Sequence, residues 1–239
     1  MITKNEIKFI RSLKIKKNRI KSKQFIVEGE KVVDELIDSS MELVKLYSTS
    51  SKYESLEDRY TNISKTNLSQ ISNLKTPNKV LAIFRIPTPE KIDFSSQIIA
   101  LDNISDPGNL GTIIRLCDWF GIKDLLCNTE SVDCYNSKVV QASMGSISRV
   151  NITYLDFKDL FSDKKLNAVA ADLDGHPLNE FKFQMNQIVI FGNESMGISD
   201  EIKSMVKDRV TIPRYNSNLD VESINVANSV AIVLAELKN

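Results

Sequence analysis

Several kinds of active site are excluded because this 239-residue sequence lacks the residues that they need. His176 is the only histidine, which excludes metal sites built from several histidines and argues against a His-based catalytic triad. The three cysteines, Cys117, Cys127 and Cys134, are odd in number and show no C-x-x-C spacing. Reduced and mostly buried thiols are therefore the simpler interpretation, and we expect no zinc, redox or other metal site.

Long apolar runs are also missing. No stretch approaches the roughly 18–20 apolar residues that a membrane helix needs, and the charged N-terminal segment lacks the apolar core of a signal peptide. The composition, 42% apolar and 26% charged residues, is that of an ordinary globular protein. The sequence therefore predicts a cytoplasmic protein without membrane contact.

The formal net charge is zero, but the basic residues are not evenly distributed. Residues 1–25 carry nine basic side chains against one acidic side chain, that of Glu6. Such a cluster is typical of a protein that binds a polyanion, most often a nucleic acid. The alternative is a solvated, lysine-rich helix without a partner. The residues that we expect to contact RNA are Lys14, Lys16, Lys17, Arg19, Lys21 and Lys23.

Short strand and helix patterns alternate along the chain in two blocks. In the first block, QFIVEG, LVKLYSTS and KVLAIFRI are strand-like, whereas IKFIRSLKIKKNRI, EKVVDELIDS and NLSQISNL have helical spacing. The second block begins after the prolines of PTPEKIDFSS, and its apolar runs QIIAL, DLLCN, VNITYL, NAVAADL and QIVIF alternate with helices. This alternation predicts an α/β fold with a mostly parallel sheet. We expect domains at residues 1–86 and 96–239, joined by a linker at 87–95.

Three loops of the second block carry polar residues that a fold alone does not require. The first, DNISDPGNLGTIIR, starts with turn residues, and Asn109 suits the N-cap of a helix that carries Arg115. The second, FGNESMGIS, places Glu194 between two glycines that allow a ligand close to the backbone. The third, TIPRYNSNLDVESIN, leads to a last helix for which Ser223 suits the N-cap. Parallel strands bind ligands at their carboxyl ends, where these loops lie.

Taken in this order, the three loops resemble the three motifs of the SpoU (TrmH-type) branch of the SPOUT RNA 2′-O-methyltransferases, over residues from about 97 to the C-terminus. The stretch SKQFIVEGEKVVDELI also resembles the small L30e-like substrate-binding domain that precedes the catalytic domain in many members. The resemblance implies a SPOUT-type parallel sheet with a C-terminal trefoil knot, an exception to the rule that chains are unknotted. It further implies bound S-adenosylmethionine and a homodimer with active sites at its interface.

The same resemblance assigns roles to individual residues. The backbone around Gly192, Asn193, Ile212, Pro213 and Ile224 is expected to hold the cofactor, and the polar residues near its methyl group would be Asn109, Arg115, Glu194, Ser223 and Asn225. This sequence departs from the family in the third motif, where the loop RYNSNLDVE is longer than usual and contains no glycine. The cofactor contacts between residues 214 and 222 cannot therefore be carried over.

The chemistry of a ribose 2′-OH limits what these residues can do. The hydroxyl is a poor nucleophile that must be oriented, and its proton must be accepted as the methyl group transfers. A guanidinium is essentially never deprotonated in proteins, so we interpret Arg115 as a clamp on a phosphate of the target nucleotide rather than as the base. Proton acceptance then falls to the phosphate or to a water. Glu194 is interpreted as the group that orients either Arg115 or Asn109.

The leading hypothesis is thus an S-adenosylmethionine-dependent RNA 2′-O-methyltransferase that acts on ribosomal or transfer RNA, with a first domain that recognises RNA shape and backbone. The alternative is a catalytically inactive RNA-binding or ribosome-assembly protein of the same fold. The presence of Asn109, Arg115, Glu194 and Asn225 argues against it. A Rossmann oxidoreductase is excluded because no glycine-rich fingerprint follows the first strand.

Overall fold

The computed structural model describes residues 2–162, 166–216 and 223–238. The chain forms two compact units, the first from residues 1–88 and 133–148 and the second from residues 89–132 and 149–239. The strands are β1 (Gln24–Glu28), β2 (Leu43–Ser48), β3 (Tyr60–Asn62), β4 (Val80–Arg85), β5 (Ile98–Leu101), β6 (Asp124–Asn128), β7 (Asn151–Leu155), β8 (Ala168–Pro177), β9 (Ile188–Phe191) and β10 (Asp208–Thr211). The α-helices are α1 (Lys4–Ser12), α2 (Lys16–Ser22), α3 (Glu30–Ile37), α4 (Lys65–Ile71), α5 (Pro107–Trp119), α6 (Ser137–Ser143), α7 (Phe157–Ser162), α8 (Asp200–Met205) and α9 (Val226–Leu237).

The first unit is built on a four-stranded mixed sheet in the order β1-β4-β2-β3. Strand β4 runs antiparallel to both of its neighbours, and β3 runs parallel to β2. Apolar side chains of α1 and α4, among them Ile10 and Leu68, pack with Ile26 and Ile83 of the sheet into one buried core. Helix α6, from the middle of the chain, belongs to this unit and contacts β1.

The helical pattern predicted through IKFIRSLKIKKNRI is two helices in the structure. Helix α1 ends at Ser12 and α2 begins at Lys16. Arg19 explains how the break is stabilised: its Nη1 donates to the carbonyl oxygens of Leu13 (2.8 Å) and Lys14 (2.9 Å), just beyond α1. Carbonyls at the end of a helix have no partner within it, and the guanidinium supplies one.

The assignment of Arg19 to RNA binding is corrected by its environment. Arg19 is only 4% exposed, and its Nε donates to Asp133 Oδ2 at 2.9 Å, across 114 residues of sequence. The guanidinium is therefore a structural group of the first unit. The other five residues of the predicted RNA-binding set, all lysines, have exposed side chains: Lys14, Lys16, Lys17, Lys21 and Lys23.

The second unit confirms the expected α/β fold with a parallel sheet. Six strands pair in the order β10-β8-β9-β5-β6-β7, and every pairing is parallel. The chain builds outward from β5 through β6 and β7, and then places β8, β9 and β10 on the other side. Strands β5 and β9 are therefore neighbours at the point where the strand order reverses, which is where open α/β sheets bind ligands.

Both faces of the central strands are buried, as the continuous apolar runs predicted. Ile98 and Ala100 of β5 pack with Ile188 and Ile190 of β9 against side chains of α7 and α8. Helix α9, the last element of the chain, packs on α5. Within the described residues, no helix is both long enough and apolar enough to cross a membrane.

We predict that Arg19→Met destabilises the protein by about 3–5 kcal/mol, because removal of one partner leaves the other charge of a buried ion pair, that of Asp133, uncompensated. Urea denaturation at pH 7 measures this change. The double variant Arg19→Met/Asp133→Asn should recover part of the loss, since no buried charge then remains unpaired. Lys17→Met, an exposed neighbour on α2, is the control. A loss below about 1 kcal/mol for Arg19→Met would contradict the assignment.

Candidate functional site

Loops that follow β5 and β9 meet at the carboxyl edge of the parallel sheet through one carboxylate. Glu194, from the β9 loop, accepts four hydrogen bonds from the β5 loop and the start of α5. Its Oε2 accepts from the backbone N–H (3.2 Å) and the hydroxyl (3.0 Å) of Ser105. Its Oε1 accepts from the backbone N–H of Asp106 (3.1 Å) and from Asn109 Nδ2 (2.9 Å). The carboxylate therefore fixes the two loops relative to each other.

The third predicted motif joins this arrangement through an amide pair. Asn225 Nδ2 donates to Asn109 Oδ1 at 2.9 Å. Asn225 Oδ1 in turn accepts from the backbone N–H groups of Ala227 (2.9 Å) and Asn228 (3.4 Å) at the start of α9. A continuous chain of hydrogen bonds thus runs from Glu194 through Asn109 to Asn225 and links all three loops.

Two helix caps differ from the sequence-based expectation. The N-cap of α5 is Asp106, whose Oδ1 accepts from the backbone N–H of Asn109 at 2.8 Å. The N-cap of α9 is Asn225, and Ser223 is an exposed residue two positions earlier. In both cases a pair of polar residues lies near the helix start, and propensity alone does not decide which one caps it. Asn109 is instead free to present its side chain to Glu194 and Asn225.

The β9 loop is a tight turn that requires glycine at 192 because of a close backbone contact and favours it at 197 because of a positive φ. A Cβ atom at Gly192 would lie 2.1 Å from the backbone carbon of Gly197 and the nitrogen of Ile198. Asn193 and Gly197 exchange two backbone hydrogen bonds of 2.9 Å, and Gly197 has a φ of +69°. The side chain of Asn193 closes the turn, because its Oδ1 accepts from the backbone N–H groups of Ser195 and Met196 at 2.9 and 3.1 Å. Glycine at 192 thus lets the turn fold back on itself.

A group of polar residues that sequence analysis did not single out, centred on the buried Asp102, forms hydrogen bonds with these loops. Asp102, 1% exposed, follows β5 and accepts from the backbone N–H of Ser199 (2.8 Å) beyond the β9 loop and from Asn128 Nδ2 (2.8 Å) after β6. Asn103, with a φ of 60°, accepts from Asn193 Nδ2 through its carbonyl at 2.7 Å. The sequence signal that could have predicted this group is the presence of polar residues at the carboxyl ends of β5, β6 and β9, which are neighbours in the sheet.

A cavity of about 710 Å³ opens beside the loops. Its floor is apolar and includes the buried side chains of Phe191, Ile198, Val210 and Val233. All residues predicted to hold a cofactor line it: Gly192, Asn193, Ile212, Pro213 and Ile224. Glu194, Ser223 and Asn225 line it as well. The volume and the combination of an apolar floor with a few polar groups are typical of a small-molecule site.

Arg115 is not part of the chain of hydrogen bonds around Glu194. It lies on the exposed face of α5, and its side chain has no hydrogen bond or ion pair with any residue that the structure describes. Of the two partners considered for Glu194, the structure therefore selects Asn109. The same exposed face carries Trp119, which is 84% exposed and lies one helical turn beyond Arg115.

The longer loop of the third motif, RYNSNLDVE, falls largely on residues 217–222, which lie outside the described residues. The residues of the third motif that precede position 217, Ile212 to Asn216, line the cavity.

The hydrogen bonds around Glu194 determine its protonation state. Partial burial alone would raise the pKa of this carboxyl group, but donors from Asn109, Asp106 and Ser105 outweigh that effect and hold the pKa below its usual 4.5. Each donor favours the charged form. Glu194 is therefore an ionised acceptor at neutral pH, and four donors surround its two carboxylate oxygens.

We predict that Glu194→Gln destabilises the protein by about 2 kcal/mol at pH 7, because donors that bonded a carboxylate meet an amide. A group with a depressed folded-state pKa stabilises the protein above its unfolded pKa, here 4.5, and loses that contribution as the pH falls through the folded value. The difference from wild type, measured by urea denaturation, should therefore shrink below about pH 4.5. Glu130→Gln, an exposed site of the same unit, is the control. A difference that is the same at pH 3 and pH 7 would contradict this account.

Comparison with known proteins identifies relatives for both parts of the chain. The sequence pattern of the SpoU rRNA Methylase family matches residues 96–235, and that of an MRM3-like substrate binding domain matches residues 4–82. The 23S rRNA (guanosine(2553)-2′-O)-methyltransferase RlmP of Bacillus subtilis is 27% identical over an alignment of 242 positions, gaps included. The alignment covers 98% of this chain and 96% of RlmP.

Solved structures give the same result over the full length. A TrmH-family protein from Porphyromonas gingivalis has a TM-score of 0.89 and 34% identity, with 100% of this chain and 98% of that chain covered. An rRNA methyltransferase from Sinorhizobium meliloti, solved with AdoMet bound, has a TM-score of 0.86 at 24% identity and covers 100% and 95% of the two chains, which shows a common fold. The resemblance seen in the three loops is thereby confirmed, and the chain belongs to the SpoU rRNA methylase family.

Proposed function

We propose that this protein transfers the methyl group of S-adenosylmethionine to a ribose 2′-OH of RNA, with ribosomal RNA as the substrate class. The observation that carries the proposal is the chain of hydrogen bonds from Glu194 through Asn109 to Asn225 beside the cavity, in a member of the SpoU family. The similarity to RlmP over nearly the whole of both chains supports ribosomal RNA over transfer RNA. The similarity to RlmP, a bacterial enzyme, supports the cytoplasm as the place where it acts.

The cavity fits the cofactor in size and chemistry. Its apolar floor suits an adenine, and the backbone of the β9 loop approaches the cavity without side chains at Gly192 and Gly197. When bound, S-adenosylmethionine supplies an electrophilic methyl group on a sulfonium cation. The residues that would hold it are Gly192, Asn193, Ile212, Pro213 and Ile224. The ionised carboxylate of Glu194 complements a positive charge in the same cavity.

The chain's own groups orient the reactants rather than abstract the proton. Glu194 is occupied by four donors and holds Asn109, which holds Asn225. Ser223 and the amide of Asn225 lie at the cavity rim, where they can bind the target ribose. Orientation of a weak nucleophile against its electrophile accounts for much of the rate enhancement in such reactions. The proton then passes to a phosphate oxygen or a water.

Arg115 serves the site of a second copy in this proposal. Its guanidinium is exposed and makes no contact with Glu194, although both residues belong to the motifs of one family. Trp119 on the same helix is exposed, and so is Ile232 (42% exposed) on α9, which packs on α5, so the two helices offer apolar side chains on their surface. Such a surface is typical of a protein interface. A homodimer formed through these helices would bring Arg115 to the partner's cavity as a clamp on the RNA phosphate.

We further propose the finer features of the fold that the family implies. One is a C-terminal trefoil knot, supported by the return of α9 onto α5 and by the hydrogen bond of Asn225 to Asn109. The other is an L30e-like first domain that binds RNA, supported by the match of residues 4–82 to a substrate binding domain. The exposed lysines of α2 and its flanks give that domain a basic surface.

The proposal is tested in two steps. Calorimetry with S-adenosylmethionine and S-adenosylhomocysteine should show binding. Mapping of 2′-O-methyl groups in ribosomal and transfer RNA, from cells with and without this protein, should then show one site lost without it and restored by the purified enzyme. Binding without any lost methyl group would favour the alternative, an inactive RNA-binding protein of the same fold. Absence of cofactor binding would overturn the proposal.

We predict that replacing Lys17, Lys21 and Lys23 with glutamine weakens RNA binding and lowers the slope of log K against log salt by about 2–3, since each phosphate contact contributes about 0.7–0.9. Filter binding between 50 and 300 mM KCl measures both quantities. The matched control neutralises three exposed lysines elsewhere in the same unit: Lys31, Lys65 and Lys75. Equal effects of the two triple variants would mean that the basic segment is only a solvated surface.

We predict that two inactive variants, Arg115→Ala and Glu194→Gln, complement each other when mixed. In a heterodimer the cavity of the Arg115→Ala chain is intact and receives Arg115 from the Glu194→Gln chain. Random reassortment should therefore restore about a quarter of wild-type activity. Methyl transfer to ribosomal RNA after mild denaturation and refolding of the mixture measures this. Each variant refolded alone is the control, and activity no higher than theirs would place Arg115 in its own chain's site.

A further inference from the structure

The wall of the cavity contains a second ionised carboxylate besides Glu194, that of Asp172. Strand β8 leaves its ladder with β10 between Ala170 and His176, so that the residues between them form a bulge. The bulge is held in place by Thr211, whose hydroxyl donates to the carbonyl of Leu173 at 3.0 Å. Asp172 and Leu173 thereby become part of the cavity wall.

Asp172 forms an ion pair with Lys203 of α8, which also lines the cavity. Lys203 Nζ lies 2.8 Å from Asp172 Oδ2, and the backbone N–H of Leu173 donates to Oδ1 at 2.8 Å. The side chains are only 24% (Lys203) and 15% (Asp172) exposed. Burial alone would raise the pKa of Asp172, but the hydrogen bonds from Lys203 and Leu173 outweigh it and lower the pKa. The pair is thus charged.

Asp172 retains acceptor capacity toward the cavity. An ionised carboxylate offers about four lone-pair positions, and the two described donors occupy one on each oxygen. A partly buried ion pair costs desolvation that its Coulomb attraction often only balances, so such a pair is weak evidence of a purely stabilising role. A ligand hydroxyl would satisfy the remaining lone pairs.

The sheet order separates the two carboxylates. Glu194 turns from the β9 loop toward the β5 loop, on one side of β9, whereas Asp172 lies in the bulge of β8, on the other side of β9. The Asn109 and Asn225 amides, beside which the target ribose is proposed to bind, are hydrogen-bonded to Glu194 directly or through each other. The reactive end of the cofactor is therefore placed near Glu194 and its nucleoside toward β8. We propose that Asp172 accepts hydrogen bonds from the ribose hydroxyls of the cofactor's nucleoside, and that Lys203 positions it. This inference rests on the proposed function.

Calorimetry with three ligands tests the inference: S-adenosylhomocysteine and its 2′-deoxy and 3′-deoxy counterparts. Wild type should bind at least one deoxy ligand about tenfold or more weakly, as expected for a hydrogen bond to a charged group. Asp172→Asn should bind S-adenosylhomocysteine about tenfold more weakly and lose most of the preference for the ribose hydroxyl. Asp174→Asn, an exposed residue of the same bulge, should behave like wild type. Each comparison is a ratio within one variant, so a partly unfolded fraction cancels.

Lys203→Met separates contact from mere support. It removes the positioning group but keeps the carboxylate, so binding of all ligands should weaken while the hydroxyl preference remains. If Asp172→Asn lowered the affinity for all three ligands by the same factor and kept the hydroxyl preference, Asp172 would have only a structural role. The inference would then be overturned, while the proposed function would stand. If wild type failed to bind S-adenosylhomocysteine, the proposed function would fall and this inference with it.

Discussion

The ionised carboxylate of Glu194 is the interaction on which the site depends. It joins segments that are far apart in sequence, from Ser105 to Asn109 and onward to Asn225. Its position at the start of α5, among backbone N–H groups that have no partner within the helix, also gives it a favourable interaction with the helix dipole. By holding these loops in place, the Glu194 carboxylate sets the positions of the residues that line the proposed cofactor cavity and of those proposed to contact the target ribose.

Acidic side chains that accept backbone N–H groups recur along this edge of the sheet. Asp102 after β5 accepts the N–H of Ser199, Glu194 after β9 accepts those of Ser105 and Asp106, and Asp172 in the β8 bulge accepts that of Leu173. Irregular loops leave backbone N–H groups without ladder partners, and a buried N–H must find one. Acidic side chains in these irregular segments accept such N–H groups. Two of them, Glu194 and Asp172, line the cavity and place negative charge beside the proposed site of a sulfonium cation.

Sequence patterns predicted what depends on local burial and missed what depends on distant partners. QIIAL and QIVIF are continuous apolar runs because both of their faces are covered, so β5 and β9 were readily recognised. Arg19 looked like its lysine neighbours, and only Asp133, 114 residues away, makes it structural. The inclusion of residues 133–148 in the first unit and the bulge of β8 have no local signal either. The three loop motifs pointed to Glu194 and Asn109, but not to Asp106 and Asn225 as the caps.

Arg115 differs from the other polar motif residues in what it lacks. Within the described part of the chain Asn109, Glu194 and Asn225 are each held by at least two hydrogen bonds, whereas the Arg115 side chain has none. A side chain that must act with precision needs surroundings that fix its rotamer. A single chain does not supply them for Arg115. Under the proposed function, a second copy would supply both the surroundings and the target phosphate, so that association would complete the site and methylation would depend on the dimer concentration.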